Sequence, residues 1–203
     1  PWVGTYFTQT AIPLKAISND GFKFVRWEGA INSTEEEITI TLDSAINLRA
    51  IFRDESDKNT NLVINEIMYR TSPEFDSGDW IELFNANNTE PIDLTNLNLI
   101  CTNGSVQFSI PNVSIPAQTY MLICQDSSKF QNIYNIDSQL IGGLFYFDLN
   151  ATDFIIIRDE SGLIYDVVSY GNSLPWPVFD GTNQGGSIEL ESTDLDNTDG
   201  KNW

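Results

Sequence analysis

The chain has 203 residues, 41% of them hydrophobic and 12% aromatic, and its 29 acidic side chains against 10 basic ones give a formal net charge of −19. Such a chain is globular and long enough for one large or two small domains. The charge argues against nucleic-acid binding, which depends largely on basic side chains. No apolar run approaches the roughly 20 residues that span a bilayer, and residues 1–25 lack a signal-peptide pattern. Because the chain begins abruptly at Pro1 and stops at Trp203 without a tail signal, we expect a fragment of a longer protein.

Residues 1–52 have the pattern of a small β module. Apolar runs at Thr10–Ala16 and Phe22–Trp27 flank an Asn-Asp-Gly turn, and alternating segments follow at Glu37–Leu42 and Ile46–Phe52. The pattern therefore predicts four short strands.

The small and aromatic residues of this module follow a distinctive order. That order is Ala16, Gly21-Phe22, Phe24-x-x-Trp27-x-Gly29 and a closing Leu48-x-Ala50-x-Phe52. It resembles the divergent internalin-type B-repeat of bacterial surface proteins, with the first strand truncated. The polar, aperiodic run Arg53–Asn61 that follows is typical of a linker, so we expect the domain boundary there.

Residues 62–203 form a second β unit in which Gly78–Asn85 is the central strand. Ile81 and Leu83 are predicted to point to one face and Trp80, Glu82 and Phe84 to the other, because side chains alternate along a strand. Further strands are predicted at Leu62–Met68, Leu97–Cys101, Val106–Ile110, Thr119–Cys124, Asp153–Arg158, Leu163–Tyr170 and Ser187–Glu191.

The connections of this unit also point to an all-β fold. Asn103-Gly104 is a hairpin signal, and Gln125–Asn150 is irregular, with at most one helical turn near Ser127. Eight or nine short strands with almost no helical period predict an antiparallel β-sandwich, closest to the immunoglobulin-like architecture.

A set of motifs distributed over residues 62–203 carries a second resemblance. The motifs are Ile64-Asn65-Glu66-Ile67, Asp79 to Asn85, Ile92-Asp93-Leu94, Phe154 to Arg158, Gly162, Asp166 to Gly171, Gly186 to Leu190 and Asn202-Trp203. In this order they resemble the lamin tail domain family in its bacterial, exported form. The resemblance implies an immunoglobulin-like fold and an extracellular, cell-surface or periplasmic location. It also implies neighbouring domains in the full-length protein that carry the chemistry.

The absence of histidine narrows the chemistry that the chain can perform. It excludes Ser-His-Asp and Cys-His catalysis and His-based zinc sites. No Gly-x-Ser-x-Gly elbow or glycine-rich phosphate loop is present either. Carboxylate chemistry remains, and a hydrolase using a pair among Glu66, Asp79, Glu82 and Asp166 is one hypothesis.

Two kinds of binding site are also consistent with the sequence. Glu66 and Glu82 have matching parity on strands that can pair, which makes them, with Asn85, candidate ligands of Ca²⁺, the one cofactor considered. The default interpretation is that these acids are solvated or bonded to the backbone at strand ends. Trp176, between Pro175 and Pro177, is a rigid aromatic that either contacts a ligand or folds over the open end of the sandwich. Trp80 is a second candidate for ligand contact.

Cys101 and Cys124 are the only cysteines, and neither lies in a CxxC pair. They form a disulfide if their strands are neighbours, and are otherwise two buried thiols.

We predict a non-catalytic module of an exported bacterial surface or periplasmic protein that positions a neighbouring domain and contacts another protein or a cell-surface polymer. The alternatives are a carbohydrate- or calcium-dependent binding module and a carboxylate-pair hydrolase.

Overall fold

The computed structural model describes residues 4–19, 22–54, 61–101, 106–135, 141–179 and 185–203. The chain divides into two compact units, Pro1–Asn59 and Thr60–Trp203. Three sequence predictions fall wholly or mostly outside the described residues: the turn at Asp20-Gly21, the linker Arg53–Asn61 and the Asn103-Gly104 turn. The domain limits proposed from the sequence, 1–52 and 62–203, stay predictions.

The described residues of the first unit form four strands, each close to its predicted position. They are β1 (Ala11–Lys15), β2 (Phe22–Gly29), β3 (Glu37–Thr41) and β4 (Leu48–Asp54). Antiparallel pairing joins β1 to β3 and β2 to β4. The unit is therefore built from two small two-stranded sheets.

The core of the first unit is small and aromatic. Phe24 and Trp27 are both buried, with ring centroids 5.8 Å apart, and the Trp27 indole N–H donates to the Glu35 carbonyl at 3.0 Å. At Gly29, which has a φ of 116°, a Cβ atom would lie 2.5 Å from the Asn47 carbonyl oxygen. Only glycine fits this position, which gives a physical reason for the glycine in the repeat-like motif.

The second unit contains more strands than the eight or nine predicted. Among its described residues there are eleven strands and one α-helix: β5 (Leu62–Met68), β6 (Trp80–Asn85), β7 (Ile92–Asp93), β8 (Asn98–Cys101), β9 (Val106–Ser109), β10 (Ser114–Ile115), β11 (Tyr120–Cys124), α1 (Ser127–Tyr134), β12 (Ile141–Leu144), β13 (Asp153–Arg158), β14 (Ile164–Tyr170) and β15 (Ile188–Glu189). A short 3-10 helix follows at Gly200–Asn202. None of the described helices has the length and apolar character needed to cross a membrane.

Two sheets make up most of the second unit. One has five strands in the order β12-β11-β6-β5-β15, and the other has four in the order β14-β13-β8-β9; a ribbon of β7 and β10 accompanies them. The buried core draws Ile81 and Ile123 from the first sheet and Leu99, Ile155 and Val168 from the second. This arrangement confirms the predicted all-β, immunoglobulin-like sandwich, in which burying each large aliphatic side chain contributes about 1.5–3 kcal/mol.

The segment after β11 differs from the prediction of an irregular stretch. Asp126 caps α1, its carboxylate accepting from the main-chain N–H groups of Ser128 and Lys129 at 2.9 and 3.0 Å. Phe130 then packs on Trp80, with ring centroids 5.4 Å apart. The helix therefore extends over two turns and covers one end of the outer face of the five-stranded sheet.

The chain leaves this helix to form β12, which pairs with β11 in parallel. Parallel neighbours need a crossover, and α1 provides it. The sandwich is thus antiparallel except at this edge, an exception that the strand pattern did not reveal.

Candidate functional site

Three glutamates from three neighbouring strands lie in line on the outer face of the five-stranded sheet. Glu66 of β5 stands opposite Glu82 of β6 on one side and Glu189 of β15 on the other. Side chains directly opposite on paired strands have Cβ atoms about 5 Å apart. We call these three residues the acidic row.

Two members of the acidic row, Glu66 and Glu82, are half-buried and hydrogen-bonded. Burial is the main reason why the pKa of Glu66 is raised to about 7. A hydrogen bond from the Ser187 hydroxyl lowers this pKa, and the charges of Glu82 and Glu189 contribute to raising it. Burial also raises the pKa of Glu82, while the Asn65 side-chain amide, donating at 2.8 Å, lowers it. Glu66 therefore holds a proton for a substantial part of the time at neutral pH.

Two tyrosines, Tyr120 and Tyr134, lie near the acidic row. Tyr120 packs against Phe84 at 4.6 Å between ring centroids and is 43% exposed. Burial raises the pKa of Tyr120, and the charge of Glu82 contributes to this rise. Burial also raises the pKa of Tyr134, with a contribution from the charge of Glu66. Carboxylates and phenol rings therefore lie side by side on this face of the sheet.

The structure does not bring Asn85 to the two carboxylates with which it was grouped as a calcium site. Asn85 is three residues after Glu82 on one extended strand, so its side chain points to the opposite face. Its amide donates to the carbonyls of Glu90 and Ile115, both at 2.9 Å, and its oxygen accepts from the Asn87 N–H. Within the described ranges, no group of three acidic, histidine or cysteine side chains is arranged to hold a metal ion.

The other two acids considered for hydrolysis hold the main chain in place. Asp79 accepts from the Leu149 N–H at 2.7 Å, and burial raises its pKa to about 6. Asp166 accepts from the Ile64 N–H at 2.6 Å and from the Asn197 side-chain amide at 2.7 Å. Neither carboxylate joins the acidic row, so Glu66 and Glu82 are the one pair among the four that the fold places side by side.

Both tryptophans considered for ligand contact pack against protein. Trp80 is 3% exposed, lies under Phe130 of α1, and donates from its indole to the Ser77 hydroxyl at 3.3 Å. Its burial leaves no ring face open to a ligand. Trp176 is half-buried on the sandwich core, with its ring centroid 5.6 Å from that of Trp203. This placement corresponds to the alternative in which Trp176 covers one end of the sandwich.

The two cysteines lie on different sheets. Cys101 belongs to β8 and Cys124 to β11, and both are buried as thiols. Burial raises the pKa of Cys124 to about 11, with a further contribution from the charge of Asp126. The arrangement is that of the second alternative, two buried thiols.

A shallow groove of about 540 Å³ runs along β12 at the edge of the sandwich. Its floor is formed by β12, which contains Gly142 and Gly143. Phe108 and Pro111 line the side that faces the four-stranded sheet, and Ser127 and Gln131 of α1 line the other side. We call this feature the edge groove.

Comparison with family models assigns both parts of the chain. Residues 55–172 match the model of the Lamin Tail Domain. The chain belongs to the lamin tail domain family. Residues 3–56 match the Divergent InlB B-repeat domain, so both predicted resemblances and their order are confirmed. No curated protein and no solved structure gave a significant match.

The lamin tail domain match ends at residue 172, yet the following segment is part of the same compact unit. Its strand β15 pairs with β5, and Asn197 donates to both the Ile64 carbonyl at 3.2 Å and Asp166. The indole of Trp203 donates to the Asn197 carbonyl at 2.9 Å. Assignment of residues 173–203 to the family stays a prediction, although the structure joins them to the sandwich.

Sequence reasoning missed two elements of these surfaces. Glu189 was on a predicted strand, but nothing local indicated that this strand would pair with β5. The edge groove had one signal, the Gly142-Gly143 pair between Ile141 and Leu144, because adjacent glycines in an apolar strand mark a close approach of other groups.

Proposed function

We propose that this chain is a non-catalytic structural and binding module of a larger exported protein, located on the cell surface, outside the cell or in the periplasm. Both matched families consist of structural or binding domains rather than enzymes. The module positions a neighbouring domain and contacts another protein or a cell-surface polymer.

One observation carries the non-catalytic part of the proposal: the four acids considered for hydrolysis either bind the main chain or lie side by side on one face of a sheet. Asp79 and Asp166 are hydrogen-bonded to main-chain N–H groups. Glu66 and Glu82 are adjacent, on paired strands of one sheet face. Glycoside hydrolysis needs two carboxyl groups on opposite sides of a bound bond, with one of them positioned as an acid. Two neighbours that are side by side on paired strands of one face do not have this arrangement.

The proposal is tested with the full chain and with its Glu66→Gln and Glu82→Gln variants. We expect the chain to sediment with isolated bacterial cell-envelope fractions and to show no turnover of envelope polysaccharides or peptides. Both variants should sediment as the parent does, because each glutamine keeps the size of the side chain that it replaces. Turnover that either substitution abolishes would replace this proposal with the hydrolase alternative.

The carbohydrate-binding alternative is separated by Trp176. Glycan-array binding that is lost in Trp176→Ala, with unchanged thermal stability, would identify that ring as a sugar contact. The contact of Trp176 with Trp203 favours the opposite outcome, in which stability falls.

A further inference from the structure

We propose that the edge groove binds an extended, basic segment of a partner protein, with one apolar side chain of that segment packed on the exposed Leu144. The inference rests on the proposed function, since it names the class of partner that such a module recognises. It concerns only the second unit, where every group lining the groove is found.

The shape of the groove fits a short extended peptide. β12 lies at the edge of its sheet and has four residues, which corresponds to about 13 Å at 3.3 Å per residue. Gly142 and Gly143 are buried, and a Cβ atom on Gly142 would lie 2.3 Å from Met121 Sδ. A Cβ atom on Gly143 would lie 3.0 Å from Pro111 Cδ and 3.4 Å from the Phe108 ring. The glycines therefore let neighbouring side chains pack closely on β12, and the apolar group that the strand leaves exposed is Leu144.

The groove and its surroundings expose apolar groups that the fold itself leaves uncovered. Leu144 is 50% exposed and Tyr146 is 76% exposed. The Tyr146 hydroxyl donates to the Gln107 carbonyl of β9 at 3.2 Å, which holds the ring beside the Phe108 side of the groove. Neighbouring exposed apolar and aromatic side chains are typical of protein contact sites.

The charge of the second unit selects the partner. Residues 61–203 contain 20 acidic and 4 basic side chains. The strands β9 and β12 contain no charged residue, and the single lysine of α1, Lys129, is paired with Asp76 at 2.7 Å. Asp126 at the start of α1 and Asp148, which accepts from Gln125 at 2.7 Å, add negative charge near the Ser127 end. A cationic segment is attracted here, whereas anionic polymers and a second copy of this chain are repelled.

Fluorescence anisotropy with labelled heptapeptides tests the proposal on the full chain. One peptide alternates Lys and Leu, the second replaces Lys with Glu, and the third replaces Leu with Ser. We expect the Lys-Leu peptide to bind at least about tenfold more tightly than either of the others, because only it supplies both charge and apolar contact. Raising the salt from about 50 to 500 mM should weaken its binding several-fold. Equal binding of the Glu-Leu peptide would overturn the proposal.

A pair of matched variants locates the binding. Leu144→Asn should weaken Lys-Leu peptide binding about tenfold, by removing an apolar contact without adding charge. Leu174→Asn makes the same change at a leucine that is 85% exposed and does not line the groove, and should leave binding unchanged. Equal effects of the two substitutions would show that the peptide binds the acidic surface in general, which overturns the proposal.

Nuclear magnetic resonance of the ¹⁵N-glycine-labelled chain gives a test without substitutions. The amide signals of Gly142 and Gly143 should shift on adding the Lys-Leu peptide, and that of Gly162, in an exposed turn, should not. Unchanged Gly142 and Gly143 signals at saturating peptide would overturn the proposal. If Leu144→Asn left both envelope sedimentation and peptide binding intact, the groove proposal would fail while the proposed function stood. Carboxylate-dependent turnover would instead remove the proposed function.

Discussion

Replacing Glu66 with glutamine should stabilise the folded chain above pH 7 and flatten its dependence on pH. Burial raises the pKa of Glu66 from 4.5 to about 7. In the unfolded chain the carboxyl has its ordinary pKa, so between about pH 4.5 and 7 the folded state binds more protons than the unfolded state. The free energy of unfolding therefore falls as pH rises through this window, and the contribution of Glu66 is fully retained only below it.

The size of the effect follows from the pKa and the exposure of the side chain. One pKa unit corresponds to about 1.36 kcal/mol, so the rise to about 7 sets an upper limit of about 3 kcal/mol. Because Glu66 is half-buried, water screens part of this energy, and we expect about 1–2 kcal/mol. Glutamine keeps the size of the side chain and can still accept from the Ser187 hydroxyl. At pH 8 the variant should be more stable than the parent by that amount, and at pH 4 the two should be nearly equal.

Urea unfolding between pH 4 and 8, followed by tryptophan fluorescence, measures the difference. Glu189→Gln should give an intermediate slope, because the Glu189 charge contributes to the raised pKa of Glu66. Glu160→Gln, in the exposed turn after β13, is a control that should follow the parent. Parallel loss of stability in the parent and Glu66→Gln across the whole pH range would refute the reasoning.

Further predictions concern packing, the C-terminal segment, metal and thiols. Trp176→Ala should destabilise the chain by about 2–3 kcal/mol in thermal or urea unfolding, because the indole fills one end of the core; unchanged stability would contradict its structural role. Asn197→Ala should cost about 1–3 kcal/mol by leaving the buried Asp166 carboxylate with one donor fewer, and limited proteolysis should then cleave the C-terminal segment faster; unchanged proteolysis would count against the tether. Millimolar calcium should leave the melting temperature unchanged, and a rise of several degrees would point to a site that includes the acidic row. Cys101 and Cys124 should react with a thiol reagent only after denaturation; rapid reaction in the native chain would contradict their burial.

Much of the fold was predictable because it depends on local side-chain alternation. Strands such as Asp153–Arg158 coincide with their predicted bounds, and the two faces of β6 are divided as the alternation of Trp80 to Phe84 requires. The α-helix was less predictable. Its sequence has weak apolar periodicity, and the segment is stabilised by the Asp126 cap together with the contact between Phe130 and Trp80, a residue distant in sequence.

The candidate sites depended on pairing that no local pattern specifies. The ladder between β5 and β6 shifts by one residue between Ile64 and Glu66. A regular continuation from the pair Ile64 and Leu83 would set Glu66 opposite Ile81, whereas the bulge sets it opposite Glu82. The same limit explains why Glu189 was missed, because its neighbour in the sheet is 123 residues earlier in the chain.

By itself the sequence determined the class of fold, the order of the two modules, their family relationships and the absence of histidine chemistry. These follow from residue type and short-range periodicity, which are present in the linear chain. Only the tertiary structure decided that Trp80 is enclosed, that Asn85 points away from Glu82, and that three glutamates form a row beside two tyrosines. Those outcomes depend on strand order, a bulge in one ladder and the position of one helix, each of which is fixed by contacts between residues far apart in sequence.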